Sequence, residues 1–318
     1  MWSLAFFIFG FVALVKGSDF LIDGSRSIAK RFKISDWIIG ITIVGIGTSI
    51  PEFSITLLSA LKNEVDIGLG TIIGSNTFNA LFILGLVALV YPISAKPRWI
   101  NQDLTINILA VIITGIFILF PIFGGNFFEL SSGEGRLLLI LFLMWIFREL
   151  SKNGIDKATD KNDPALKIFS VLSSFLMIGG GLAGVLIGAQ WVIDGALIIA
   201  NYLGTSQAVI GLTIVGIGTS LPEITVSLRA ARRKDFGISL GNIIGSNIFD
   251  FLGILGIAAL FGAISVPKEL FIDFGVTLGA MLILMAMILS GKKYVLQRWQ
   301  GGVMVLVYLS YLFFTFQF

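Results

Sequence analysis

The sequence predicts an all-α integral membrane protein of ten transmembrane helices, arranged as two inverted five-helix repeats. Three observations lead there. Of the 318 residues 56% are apolar and only 13% charged, where a soluble domain carries about a quarter charged. Apolar stretches long enough to cross a bilayer recur from Trp2 to Phe318. A pair of motifs in the first half also returns in the second at one constant offset. GITIVGIGTSIPE at 40–52 returns as GLTIVGIGTSLPE at 211–223 with eleven of thirteen positions identical, and GTIIGSNTFN at 70–79 returns as GNIIGSNIFD at 241–250 with seven of ten, both displaced by 171 residues.

The spans follow in order as apolar stretches near 3–25, 37–61, 67–92, 100–120 and 134–150, then 168–196, 205–230, 237–263, 271–290 and 299–316. Residues 1–150 form the first repeat with its motif at 40–79, and 165–318 the second with its motif at 211–250. The polar stretch 151–164 is a cytoplasmic linker too short to fold alone. Five spans per repeat is an odd number, so the second repeat enters the membrane from the opposite side, as in the inverted repeats of secondary transporters. The first apolar run reads as a retained span: it lacks a basic leader region, and its repeat partner near 174–186 sits mid-chain. Eighteen of the 22 Lys and Arg residues fall in loops after odd-numbered spans. Short cytoplasmic loops collect such residues, so both termini are expected on the extracytoplasmic side of the plasma (cell inner) membrane. Trp37, Trp99, Trp145, Trp191 and Trp299 fall near span ends, where interfacial indoles are expected.

Composition also excludes functions. The net charge is +3 with no concentrated basic face, which gives nucleic acid nothing to hold. With no Cys and no His, thiolate metal sites and Cys/His or Ser-His-Asp catalysis are ruled out. No cofactor, no enzymatic activity and no protein partner are expected; the partners are the bilayer and small ions.

Each repeat places one carboxylate deep in an apolar span, Glu52 and Glu223, beside Thr48 and Ser49 or Thr219 and Ser220. A carboxylate at membrane depth costs at least about 2.5 kcal/mol on insertion scales and marks a functional site by default. Pro51 and Pro222 follow Gly45 and Gly47, or Gly216 and Gly218. A proline in a helix disrupts the bond to the carbonyl four residues earlier, so backbone oxygens are expected to open there. Thr48 and Glu52, like Thr219 and Glu223, are four apart and share a helical face. The resulting oxygen set suits a hard cation, Ca²⁺ or Na⁺, rather than a soft transition metal. The second motif adds Ser75 with Asn79 and Ser246 with Asp250, again four apart, with Gly70, Gly74, Gly241 and Gly245 as small-residue packing faces. Asp19, Asp23 and Asp194 read as solvated anchors at span ends, and Lys16 as a snorkelling side chain.

GIGTSIPE with GSNTFN and GIGTSLPE with GSNIFD resemble the paired signature repeats of the sodium/calcium exchanger (cation/calcium antiporter) superfamily, across both halves of the chain. The resemblance implies a Ca²⁺ site from the Glu52 and Glu223 carboxylates and the Thr48 and Thr219 backbone oxygens. It implies Na⁺ sites drawing on Gly45, Ser49 and Ser75 toward one side and on Gly216, Ser220 and Ser246 toward the other, with Asn79 and Asp250 in the middle. Asp250 departs from the animal sodium/calcium type, which has Asn, and resembles the potassium-dependent and prokaryotic branches. The expected function is electrogenic Ca²⁺/Na⁺ antiport by alternating access. The residues alone leave open a Ca²⁺/H⁺ antiporter using the same Glu pair and a K⁺-dependent exchanger; a channel finds no ring of charge to support it.

Overall fold

The computed structural model describes residues 2–32, 34–61, 65–120, 122–123, 126–151, 168–202 and 216–315. Most of the linker expected at 151–164 and the start of the motif at 211–215 lie outside these residues. The described chain is helical: α1 (Trp2–Phe32), α2 (Asp36–Thr48), α3 (Ile50–Leu61), α4 (65–90), α5 (Trp99–Leu119), α6 (Ser132–Ser151), α7 (Val171–Tyr202), α8 (Gly216–Thr219), α9 (Leu221–Arg232), α10 (Phe236–Phe261), α11 (Lys268–Leu289) and α12 (Arg298–Thr315). By length and hydropathy, Gly68–Val90 within α4, α5, Val171–Val192 within α7, α10 and Leu270–Leu289 within α11 are each sufficient to cross a membrane, and the bent pair α2–α3 makes a sixth candidate among the described residues.

The chain resolves into two compact units that each draw on both sequence repeats: 1–48 with 149–242, and 49–148 with 243–318. In the first unit α1 packs along α7 in antiparallel sense. A Cβ placed on Gly10 would lie 2.9 Å from the Gly188 carbonyl oxygen, on Gly17 2.7 Å from that of Gly181, and on Gly24 2.8 Å from that of Ser174. No larger side chain fits without moving backbone, and small residues are what allow close packing where lipid removes the hydrophobic drive between helices. The repeat offset of 171 carries Gly10 to Gly181 and Gly17 to Gly188, so it exchanges two of these contacts with each other.

At one end of α1, Asp19 accepts from Arg229 (2.5 Å) and Arg233 (2.6 Å), Asp23 pairs with Arg233, and Arg26 reaches Asp235 at 2.9 Å. Asp19 and Asp23 are thus cross-helix ion-pair partners rather than the solvated anchors expected. Arg229 lies in the last turn of α9 and Arg233 caps its end, a tertiary relation that span-end position alone does not reveal. Asp194 is exposed and accepts from Gln190 at 2.8 Å, and Lys16 is exposed. Three of the tryptophans expected at the interface are interior instead: Trp37, Trp99 and Trp145 are buried against protein, because span ends here pack on neighbouring helices as well as on headgroups.

In the second unit two short antiparallel ladders tie loop to loop. β1 (Ile93–Ser94) pairs with β4 (Val295–Leu296), and β2 (Glu129–Leu130) with β3 (Ile264–Ser265). Phe128 and Tyr294 precede β2 and β4 with left-handed φ of 61° and 62°. Their carbonyls accept from Val266 N (2.7 Å) and Ala95 N (2.9 Å). The ladders match each other once the repeat offset shortens from 171 to 166, a five-residue deletion in the loop between α11 and α12. Each following helix opens with the side chain of its third residue reaching back to the N–H just before the helix, one half of a capping box. Glu134 accepts from Ser131 N (3.2 Å) and Phe123 N (2.9 Å), and Gln300 Oε1 accepts from Gln297 N at 2.7 Å.

Candidate cation site

The residues selected from the sequence divide equally between the two units. Gly45, Thr48, Gly216, Thr219, Ser220 and Glu223 belong to the first, and Ser49, Glu52, Ser75, Asn79, Ser246 and Asp250 to the second.

In the first unit the GIGT segments close α2 and form α8. After each, the helix is interrupted for one residue, at Ser49 and Ser220, and restarts as α3 and α9. Pro51 and Pro222 fall in the first turn of the restarted helices, where the missing N–H is one the helix leaves unpaired anyway. The helices are broken at both motifs, and each proline lies in the first turn of the restarted helix and not in a helix interior. Phe53 N donates to Ser49 O at 2.9 Å and Ile224 N to Ser220 O at 3.1 Å, so the two breaks are built alike. Glu223, 1% exposed, sits in the first turn of α9, where the positive end of the helix dipole favours a negative group. Thr48, wholly buried, donates to Asn242 Oδ1 (3.0 Å), and its hydroxyl also lies 3.3 Å from the Gly45 carbonyl. Asn242 in turn donates to the Glu223 carbonyl (3.4 Å) and to Ser227 Oγ (2.9 Å). One amide thus joins the ends of the two GxGTSxPE motifs.

In the second unit Glu52, 1% exposed, occupies the first turn of α3, which packs on α4 and α10. Both of those helices pass from α into π geometry at the same repeat position, Phe78–Ile83 and Phe249–Ile254. Asn79 and Asp250 are the second residue of each π segment, a local geometry common at functional sites. Asn76 Nδ2 donates to Asp250 Oδ2 at 2.7 Å, and Asn79 Nδ2 donates to Asn247 Oδ1 at 2.9 Å. The offset of 171 carries Asn76 to Asn247 and Asn79 to Asp250, so the two bonds form a crossed, mutually exchangeable pair. Thr56 Oγ1 donates to Gly68 O (3.2 Å) as Ser227 Oγ donates to Ser239 O (3.1 Å), each within its own unit and again 171 residues apart. Ser75, expected to stand over Asn79, donates to Ile72 O in its own helix at 3.2 Å.

The donor set fits a hard cation. Glu52, Glu223, Asp250, Thr48, Ser49, Ser75, Asn79, Ser220 and Ser246 are all at most 4% exposed and Thr219 is 6%. Among them Asn79 Oδ1 and Ser220 Oγ, together with Asn76 Oδ1, are buried oxygens with no hydrogen-bond partner among the described residues. A buried acceptor left unmade costs about 1–3 kcal/mol, a cost that a Na⁺ or Ca²⁺ ion would remove. No group of three or more acidic side chains converges among the described residues. Asn76, Asn247 and Asn242 escaped the sequence reading. The signal for the first two was present, an Asn identical in both GSN triplets; Asn242 faces Thr71 in the other repeat and gave none.

The chain is thus an apolar helical protein with buried carboxylates, amides and hydroxyls at matching positions of its two repeats. The profile of the family described as "Sodium/calcium exchanger protein" matches residues 2–150 and 173–317, and the chain belongs to this family. It is 37% identical to an uncharacterized membrane protein of Methanocaldococcus jannaschii, over 96% of each chain. It is 31% identical to the sodium/calcium exchanger MaX1 of Methanosarcina acetivorans, over 97% of each chain. The solved sodium-calcium exchanger NCX_Mj, soaked with 2.5 mM Na⁺ and 1 mM Sr²⁺, superposes with a TM-score of 0.82 at 34% identity, covering 98% of this chain and 97% of that one.

Proposed function

We propose that the chain is a secondary antiporter that exchanges Ca²⁺ for Na⁺ by alternating access, moving net charge in each cycle. The observation that carries this reading is the pair Glu52 and Glu223, 171 residues apart, each 1% exposed in the first turn of a helix restarted within an apolar span. Ca²⁺ takes the carboxylates of Glu52 and Glu223 and the backbone oxygens of Thr48 and Thr219. Na⁺ takes Gly45, Ser49 and Ser75, or Gly216, Ser220 and Ser246, with Asn79 and Asp250 central to both. Competition for the same carboxylates couples the fluxes, since an empty carrier would expose uncompensated charge to a low dielectric. The ten-span inverted topology, with both termini extracytoplasmic in the plasma membrane, is part of the same reading. It is supported by the antiparallel α1–α7 glycine contacts and the crossed amide bonds, each of which the repeat offset maps onto its counterpart. A second reading, in which K⁺ travels with Ca²⁺, is favoured by Asp250, a carboxylate where the first repeat has Asn79.

Glu52→Gln and Glu223→Gln test the site, because the amide keeps the shape and removes the charge. Each variant should insert and fold yet lose Ca²⁺ transport in proteoliposomes at least a hundredfold. Near-normal Ca²⁺ flux in either would remove that residue from the site. Asp250→Asn should instead alter Na⁺ or K⁺ dependence while Ca²⁺ binding persists.

A further inference from the structure

α7 carries three consecutive glycines, and packing among the described residues explains one of them, Gly181. A Cβ on Gly181 would lie 2.5 Å from Leu21 N, so α1 demands glycine there. Gly179 and Gly180 face outward, and a Cβ on either would meet nothing within 4 Å. Glycine in a helix interior is destabilising relative to alanine, so an exposed Gly180 whose added Cβ would meet no described residue within 4 Å needs another reason. Gly180 and Gly181 line a groove of about 330 Å³, with Phe20, Ser173, Leu176 and Met177 as the other lining residues. Phe20 is 53% and Leu176 66% exposed. The volume falls at the lower end of small-molecule sites, about 300–1,000 Å³.

The groove is apolar along its length and polar at one end. There α7 begins, with Ser170 Oγ accepting from Ser173 N at 3.1 Å. At the same end Lys30 and Arg31 close the last turn of α1. Arg31 Nη2 donates to Phe169 O at 3.1 Å, while Phe169 N and Ser174 Oγ donate to Ser27 Oγ at 3.0 and 2.8 Å. The groove thus starts about one helical turn, roughly 6 Å, from a cationic and rigidly tied rim. Basic residues at a bilayer surface beside an intramembrane cleft attract anionic lipid headgroups.

We propose that this groove holds one acyl chain of an anionic phospholipid whose phosphate lies against Lys30 and Arg31, with Gly180 kept small to let the chain seat against α7. The inference rests only on α1 and α7 crossing the bilayer and is independent of which ions the protein carries.

Native mass spectrometry of the detergent-solubilised protein, titrated with phosphatidylglycerol or phosphatidylcholine, tests it. The unmodified protein should retain one phosphatidylglycerol at least tenfold more tightly than phosphatidylcholine. Lys30→Gln combined with Arg31→Gln should abolish that preference. Gly180→Leu, which fills the groove without meeting protein, should weaken both lipids at least tenfold, and Leu176→Trp supplies the same obstruction should the first variant fail to fold. Gly279→Leu, an equally open glycine on α11 away from the groove, should leave binding unchanged. Equal retention of the two lipids by the unmodified protein, or unchanged phosphatidylglycerol binding with the groove filled, would overturn the proposal.

Discussion

Asn242 holds Thr48, the Glu223 carbonyl and Ser227 with a single side chain. Asn242→Ala leaves buried groups to find new partners, at about 1–3 kcal/mol, and loosens both motif ends. Apparent Ca²⁺ affinity in transport assays should fall about tenfold while the protein remains folded. Asp235 offers a test through pH. It lies in the short turn between α9 and α10, outside the spans, and its carboxyl is pushed from 3.8 up to about 7. Burial is the main cause and the Asp36 charge the next, opposed by Arg26 and Arg233. The folded state therefore binds a proton that the unfolded chain releases at lower pH, so stability falls as pH rises from about 4 to about 7 and levels off above. Thermal melts of the detergent-solubilised protein should show this decline, and Asp235→Asn should flatten it.

At the scale of elements, glycine contacts and helix restarts determine what the chain tolerates. Gly17→Val places atoms against the Gly181 carbonyl and the Val185 amide, both 2.7 Å from the added Cβ, and overpacking of this kind costs about 1–3 kcal/mol. Gly279→Ala meets nothing and should be neutral or stabilise by up to about 1 kcal/mol. Denaturation midpoints in detergent will separate the two. Five of the described helices, and the bent pair α2–α3, were legible as apolar runs of span length, and the paired motifs pointed to Glu52, Glu223 and Asp250. Three features were not. The Gly10, Gly17 and Gly24 face of α1 recurs as Gly181, Gly188 and Gly195 at the repeat offset, but which helix it packs on is seen only in the structure. The prolines suggested kinks because sequence does not tell a helix interior from a first turn. The five-residue slip before α12 hid the equivalence of Glu134 and Gln300, which differ in charge but cap alike.

For the whole molecule, the proposed inverted topology makes a prediction that the cysteine-free sequence allows to be tested cleanly. An impermeant thiol reagent added to intact cells should label Asn126→Cys, in the loop before β2, and spare Asn162→Cys in the linker. The reverse pattern would invert the assigned orientation. If more than two Na⁺ exchange for one Ca²⁺, as proposed, each extra charge moved is worth about 2.3 kcal/mol per 100 mV. Uptake of Ca²⁺ against internal Na⁺ should then be faster in vesicles clamped inside-positive than inside-negative. Coupling itself is tested most directly by radiolabelled Ca²⁺ uptake into proteoliposomes under an imposed Na⁺, K⁺ or H⁺ gradient. An outward Na⁺ gradient should drive Ca²⁺ accumulation that collapses when the gradient is dissipated and is absent in Glu52→Gln and Glu223→Gln. Accumulation that ignores Na⁺ and follows the pH gradient would contradict sodium/calcium exchange as the activity of this chain.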